Sequence, residues 1–155
     1  MSDYPLGEIC EQCQRVIYLE QQARQTHERF RVVIEHATCG IVLFDVEARI
    51  LYMNRYVSEA TGYDASELLN RSWFEFTHPD ETRLRRMLLE STLEHPRELR
   101  NRGYVRFKSK PGVWVLLGIR VLNLLDDPNV GVIVAYISDE SAQMSRYIGN
   151  GNSNR

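Results

Sequence analysis

The chain has 155 residues, 43% of them apolar and 26% charged, which suits one globular domain with short appendages and a core that needs no disulfide staple. A formal net charge of −2 supplies no field favouring nucleic acid or an anionic membrane, so neither is expected as a partner. The longest apolar stretch, residues 113–125, is broken by Gly118, Arg120 and Asn123 and is too short to span a bilayer. The first residues lack a secretory pattern, and three cysteines fit no disulfide framework, so a cytoplasmic location is expected.

Residues 7–36 are rich in Glu, Gln and Arg and predict a helix. Ile9, Cys13, Val16, Ala23 and Phe30 fall on a 4-3 spacing, with Glu20 and His27 at the intervening seam positions. The result is an imperfect apolar stripe, of the kind that pairs helices. Residues 41–44 and 50–53 are short β-rich runs that predict a hairpin, its turn Asp45-Val46-Glu47-Ala48 lacking the usual glycine.

Asp64-Ala65-Ser66-Glu67 is a capping box opening a one-turn helix, which Asn70 is placed to end in the left-handed conformation. Thr77-His78-Pro79-Asp80-Glu81 starts a longer helix, with His78 as a cap beside Pro79. Leu84, Met87, Leu88 and Ser91 trace one face of it, Arg83, Arg85, Arg86 and Glu90 are assigned to solvated faces, and Pro96 ends it. Residues 100–108, 113–124 and 130–137 read as strands, separated by turns at Lys110-Pro111-Gly112 and Asp126-Asp127-Pro128-Asn129. The tail from Tyr147 reads as linker or disordered.

The predicted fold class is α+β, an antiparallel sheet with helices on one face. In residues 113–117 and 132–136 side chains of both parities are apolar, although a strand with one wet face alternates. Both sheet faces are therefore expected to be covered, the second by the N-terminal helix or by another subunit.

Catalytic chemistry finds no footing. The chain has no Gly-rich phosphate loop, no metal-ligand series and no nucleophile elbow, and it is read as a non-enzyme. Asp139 and Glu140 are adjacent carboxylates that a strand end points to opposite faces, better suited to anchoring the exit segment than to acid–base work. Cys10 and Cys13 form a C-x-x-C, and two copies in a parallel dimer would offer four thiolates to zinc or an iron–sulfur cluster. A single chain lacks that set, so small seam residues are favoured over metal ligands. Cys39 reads as a structural thiol, Trp73 and Trp114 as core packing rather than flavin stacking, and Tyr52, Tyr104 and Tyr136 as ordinary strand aromatics.

The residues and their order resemble the PAS family of sensor domains. The match runs through Glu28-Arg29-Phe30, Ile34-Glu35-His36-Ala37, Gly40-Ile41, Asp45 and Ile50-Leu51-Tyr52-Met53-Asn54. It continues through Thr61-Gly62-Tyr63, Glu67-Leu68-Leu69, His78-Pro79-Asp80-Glu81, Val113-Trp114-Val115 and Ile137-Ser138-Asp139-Glu140-Ser141. Ala48 and Asn70 stand where such domains often carry glycine, and Glu140 where the closing motif usually has an apolar residue.

The resemblance implies a PAS-like five-stranded antiparallel sheet over residues 28–141, preceded by an amphipathic dimerisation helix over 1–27 and followed by a tail over 142–155. It implies a pocket between the sheet and the long central helix. Ile41, Leu43, Met53, Val57, Trp73, Leu84, Leu88, Tyr104 and Val134 are the candidate pocket residues, Ile9, Cys13, Val16, Ala23 and Phe30 the dimer and signalling seam, and Asp139 and Ser141 the exit motif.

No cofactor is required by the sequence. Haem is disfavoured because residues 80–93 contain no histidine, and LOV-type flavin chemistry because its cysteine segment is missing. The leading expectation is a cytoplasmic sensory module, a homodimer that passes a ligand signal through its flanking helices to an output domain or partner. A ligand-free dimerisation module and a haem, flavin or thiol redox sensor are the alternatives.

Overall fold

In the computed structural model, residues 11–143 are described. The chain divides into two units, Met1–Ile34 and Glu35–Arg155.

Helix α1 spans Glu11–Glu35, 25 residues free of Gly and Pro, well past the roughly 12–15 at which an isolated helix is marginal. None of its residues is buried. Cys13, Val16, Ala23 and Phe30 of the predicted stripe are all exposed, and so are Ile17, Leu19 and Val33, which the 4-3 reading did not include. Ile9 and Cys10 lie outside the described residues.

The second unit carries β1 (Gly40–Phe44), β2 (Ile50–Met53), α2 (Arg55–Thr61), α3 (Ala65–Leu68), α4 (Thr82–Leu93), β3 (Leu99–Lys108), β4 (Trp114–Leu124) and β5 (Val132–Asp139). Single 3-10 turns at Trp73–Phe76 and Pro79–Glu81 lead into α4, and another follows β5. The strands form one antiparallel sheet in the order β2-β1-β5-β4-β3.

Register sets the two faces. Val42 lies opposite Ala135 and Phe44 opposite Ile133, while Val121 and Ile119 of β4 lie opposite Ala135 and Ile137. Side chains paired this way share one face, the helix side. Val42, Ile133, Ala135, Phe107, Leu117, Ile50, Val57 and Leu68 are fully buried in this core. Each large apolar side chain among them contributes about 1.5–3 kcal/mol. Aromatic rings finish the layer: Trp73 meets Phe44 edge-on at 5.5 Å and Phe107 at 4.5 Å, and Phe107 stacks on Phe76 at 5.3 Å. The other face holds buried Leu116 and Val134 among half-buried Ile41, Leu43, Trp114, Leu122 and Tyr136.

Local chemistry explains the connections. Asp45 Oδ1 accepts from the Glu47 and Arg49 amides, closing a β1–β2 turn in which Ala48 sits at φ 61°, where glycine is usual. Asn70 also takes the left-handed conformation, φ 62°, beyond the Asp64–Glu67 capping box, which forms as predicted. Asn54, fully buried, accepts from the Ile41 amide and donates to the Cys39 carbonyl, both at 3.0 Å, tying the start of β1 to the start of α2. The 3-10 turn before α4 starts as expected: His78 Nδ1 accepts from the Asp80 amide, with Pro79 in the first turn.

Both edges of the sheet are partly occupied. On the β2 side, Ile50 exchanges hydrogen bonds with the Arg71 carbonyl at 2.9 Å and the Asn70 amide at 2.7 Å. On the β3 side, the Arg106 amide donates to Glu81 Oε2 at 2.9 Å, and the Arg106 carbonyl accepts from the His78 amide at 3.0 Å. Arg85 of α4 donates to the Arg102 carbonyl at 2.7 Å and to the Tyr104 carbonyl.

One predicted detail needs correction. The face of α4 turned to the sheet carries Arg85, Leu88, Leu89 and Thr92, whereas Leu84 and Met87 are 50% and 57% exposed. Arg85 is therefore not on a solvated face. Its guanidinium satisfies outer carbonyls of β3. Strand β3 forms where expected but carries a bulge: Asn101 faces Arg120 and Tyr104 faces Gly118, so β3 holds an extra residue between them. Gly103 takes φ 71° there, its amide held by Asn101 Oδ1.

Candidate functional site

The β3 bulge changes which side chains face the helices. Before it, Arg100 lies opposite Val121 on the helix side; after it, Val105 and Phe107 take that side. Arg102, the last residue before Gly103, thus reaches the space between sheet and helix.

That space is a cavity of about 80 Å³. Phe44, Ile119, Val121, Ile133, Ala135 and Ile137 form its floor, Leu88, Leu89, Arg85 and Thr92 of α4 one wall, and Ala48, Trp73, Phe74 and Arg102 the remainder. Its walls are apolar apart from two guanidinium groups and one hydroxyl. Arg102 donates through Nε at 3.1 Å and Nη2 at 2.7 Å to Thr92 Oγ1, and Thr92 in turn donates to the Leu88 carbonyl at 2.8 Å. Burial, and then the nearby Arg100, push the Arg102 pKa down from its ordinary value. A groove of about 480 Å³ beside Val46, Arg86 and Glu90 shares Phe74 and Leu89 with the cavity, and Arg86 lies 4.8 Å over the Phe74 ring.

Among the predicted pocket residues, Trp73 and Leu88 line this cavity. Met53 and Val57 are buried in the core beside β1 but do not reach it. Ile41, Leu43 and Val134 belong to the opposite sheet face, because their parity is that of Leu122 rather than Ala135. Leu84 is half exposed. Tyr104, past the bulge, lines a different cavity of about 250 Å³ on the far face with Arg120, Tyr136, Ser138 and Glu140.

Sequence reasoning missed Phe44, Ala135, Arg85 and Arg102. An isolated glycine inside a strand pattern, Gly103, was the available signal for the bulge that puts Arg102 and Val105 on the same face.

The exit segment is polar, as expected. Asp139 Oδ1 accepts from the Ser141 amide at 3.0 Å and hydroxyl at 2.6 Å, and the Asp139 amide donates to the Tyr56 hydroxyl at 2.9 Å. Cys13 is exposed and Cys39 half-buried. Among the described residues no group of three or more His, Cys, Asp or Glu is placed to hold a metal ion. His78 caps its turn and packs on Trp114 at 4.7 Å, and neither a histidine nor a cysteine lines the cavity.

Comparison with known proteins agrees with this architecture. The family profile described as the PAS fold matches residues 28–134. A PAS domain of an HTR-like protein from Haloarcula marismortui superposes with a TM-score of 0.67 at 22% identity, covering 79% of this chain and 98% of that one. A domain of a sensory box sensor histidine kinase/response regulator from Geobacter sulfurreducens superposes with a TM-score of 0.61 at 21% identity, covering 74% and 94%. The PAS domain of the RpfR quorum-sensing receptor from Cronobacter turicensis, solved in complex with BDSF, gives 0.55 at 20% identity, covering 70% and 99%. Comparison with curated proteins found no match. With the profile spanning most of the sheet and the strand order and helices agreeing, the chain belongs to the PAS fold family.

Proposed function

We propose that this PAS domain is a ligand-sensing input module whose site is the cavity between α4 and the sheet. The observation that carries the reading is an apolar space of about 80 Å³ between α4 and the sheet. Natural ligand pockets run to about 300–1,000 Å³, so the occupant is small or displaces the wall at Phe74 and Leu89. No histidine or cysteine lines the space, so the reading relies on apolar contacts rather than on haem, a metal or a thiol. The Cronobacter neighbour, described in complex with BDSF, supports ligand binding by a domain of this shape.

A signal follows if the ligand binds two packings of α4 against β3 unequally. The Arg85 and Arg102 contacts join that helix to that strand, and the sheet leads through β5 to the Asp139–Ser141 exit. On this reading the module works in the cytoplasm and passes its state to an output domain or separate partner, as a sensor and not a catalyst. No helix among the described residues is long and apolar enough to cross a membrane.

Trp73 reports on the cavity, and replacing Trp114 by Phe leaves it as the one tryptophan. Titrating this variant with small apolar compounds is expected to change Trp73 emission saturably. Compounds that bind without perturbing Trp73, or no binding at all, would count against the cavity as the site.

A second reading rests on α1. Val16, Phe30 and Val33 are 53%, 63% and 63% exposed on a helix with no buried residue, a surface suited to pairing with a second copy. Light scattering of the full chain and of a Val16→Glu/Phe30→Glu variant tests it: a dimer that the double substitution separates is expected, and a monomeric parent would refute it.

A further inference from the structure

We propose that the cavity takes a small monocarboxylate, with its apolar tail against Trp73 and the sheet and its anionic head held by Arg102. This deepens the reading of the cavity as a ligand site and rests on it. The cavity lining contains Arg85 and Arg102 and no Asp or Glu. Two positive groups beside an apolar space favour an occupant that brings negative charge.

The two arginines have different roles. Arg85 is 8% exposed and spans from α4 to the carbonyls of Arg102 and Tyr104, a fixed part of the frame. Arg102 is half-buried and gives two donors, Nε and Nη2, to one neutral oxygen, Thr92 Oγ1. A guanidinium edge of that kind matches the two oxygens of a carboxylate better than a single hydroxyl. Among the described residues Arg102 has no carboxylate partner, whereas its neighbour Arg100 pairs with Glu98 at 3.0 Å. The lowered Arg102 pKa, from burial and then Arg100, agrees with a partly dehydrated cation that an anion would relieve.

Arg102 shares the inward parity of Arg100, and the bulge at Gly103 lets Val105 take the same side; bulges of this kind recur beside ligand sites. The bland alternative is that Arg102 only pins α4 to β3 through Thr92. A structural pin predicts no preference between an acid and its amide.

Size narrows the tail. If each methylene takes about the ~30 Å³ share of a liquid water, the cavity holds roughly three such groups. Butyrate, with a three-carbon tail, is therefore the probe, with butyramide as its neutral partner of the same shape.

The test uses the full chain with Trp114→Phe, titrated at pH 7 by Trp73 fluorescence. Butyrate is expected to bind about tenfold or more tightly than butyramide. In the Arg102→Gln variant that ratio falls to near one. Equal binding of acid and amide by the parent, or a preference that survives Arg102→Gln, overturns the proposal while leaving a neutral-ligand cavity standing. If neither acid nor amide binds, the ligand-site reading falls with it. Thr92→Val keeps the shape but removes the competing acceptor, and it serves even if Arg102→Gln does not fold. The acid-to-amide ratio is expected to rise in it by at least about twofold, and an unchanged or smaller ratio refutes the assignment of the head to Arg102.

Discussion

Filling the cavity from its floor separates packing from binding. Ala135 is fully buried on β5 and faces the cavity, and isoleucine suits a strand at that position. Ala135→Ile adds three carbons, roughly 80–90 Å³ at the ~30 Å³ share of a liquid water, against the 80 Å³ available. At about 24 cal/mol per Å³ of cavity removed, complete filling is worth up to about 2 kcal/mol. Three buried methylene-sized groups at about 0.8 kcal/mol each give a similar ceiling. Imperfect fit and a fixed rotamer take back about 1–2 kcal/mol, leaving a net effect between about 0 and +1 kcal/mol.

Thermal unfolding should then move by no more than about 4 °C upward, at roughly 4 °C per kcal/mol for a domain of this size. Ligand affinity, in contrast, should fall by at least about thirtyfold, because the tail would displace a packed side chain. Differential scanning calorimetry and the Trp73 titration measure the two quantities on the same protein. A loss of more than about 2 kcal/mol would show that the space does not accept the side chain. Unchanged affinity would show that the ligand does not enter between α4 and the sheet.

Three further substitutions probe the frame. Asn54→Ala deletes both partners of the Ile41 amide and Cys39 carbonyl at a fully buried site and should cost about 3 kcal/mol in urea denaturation, and a loss under 1 kcal/mol would refute that lock. Gly40→Ala would put a methyl group 2.8 Å from Val57 Cγ2 and 2.9 Å from Ile137 Cβ, so it should destabilise by about 2–3 kcal/mol, with unaltered thermal unfolding as the contrary result.

The third concerns pH. The Lys110 ammonium, hydrogen-bonded at 2.6 Å, and then the Asp64 amide hold the Glu67 carboxyl below its ordinary 4.5. A depressed carboxylate stabilises the fold above its unfolded pKa and loses that contribution as pH falls through the folded value. Glu67→Gln should therefore weaken the fold at neutral pH, and its difference from the parent should close as pH falls below 4.5. A difference independent of pH would assign the effect to the capping box alone.

How much could be read without coordinates depended on whether the signal was local. The Asp64–Glu67 box, the His78 cap and the left-handed Asn70 were all legible, because each is a short-range contest between side chain and backbone. The five-stranded antiparallel sheet followed from the order of motifs. The face of α4 was not legible: Leu84-Met87-Leu88-Ser91 and Arg85-Leu88-Leu89-Thr92 have the same i, i+3, i+4, i+7 spacing, one step apart. The choice between them turned on treating arginine as solvated, whereas β3 carbonyls were there to receive it.

The pocket residues were hard to place for a related reason. Strands that are apolar at both parities carry no phase, so Ile41, Leu43 and Val134 were as plausible as Phe44, Ile133 and Ala135 until pairing fixed the register. Tyr104 was displaced by the bulge, a one-residue change that reverses every assignment on one side of it.

The contacts at the two sides of the sheet bear on how other chains can approach. Strand addition needs a row of unoccupied amides and carbonyls on an outer strand. Here the outward groups of β3 at Arg102, Tyr104 and Arg106 are taken by Arg85, His78 and Glu81, and Ile50 of β2 is taken by residues 70–71. The sheet is thus a poor template for an incoming strand, whether from an aggregating copy or from a peptide. A partner that reads the state of this domain has the sheet surface, the helices and the exit segment to grip, and the protein keeps its fold from becoming the seed of a longer one.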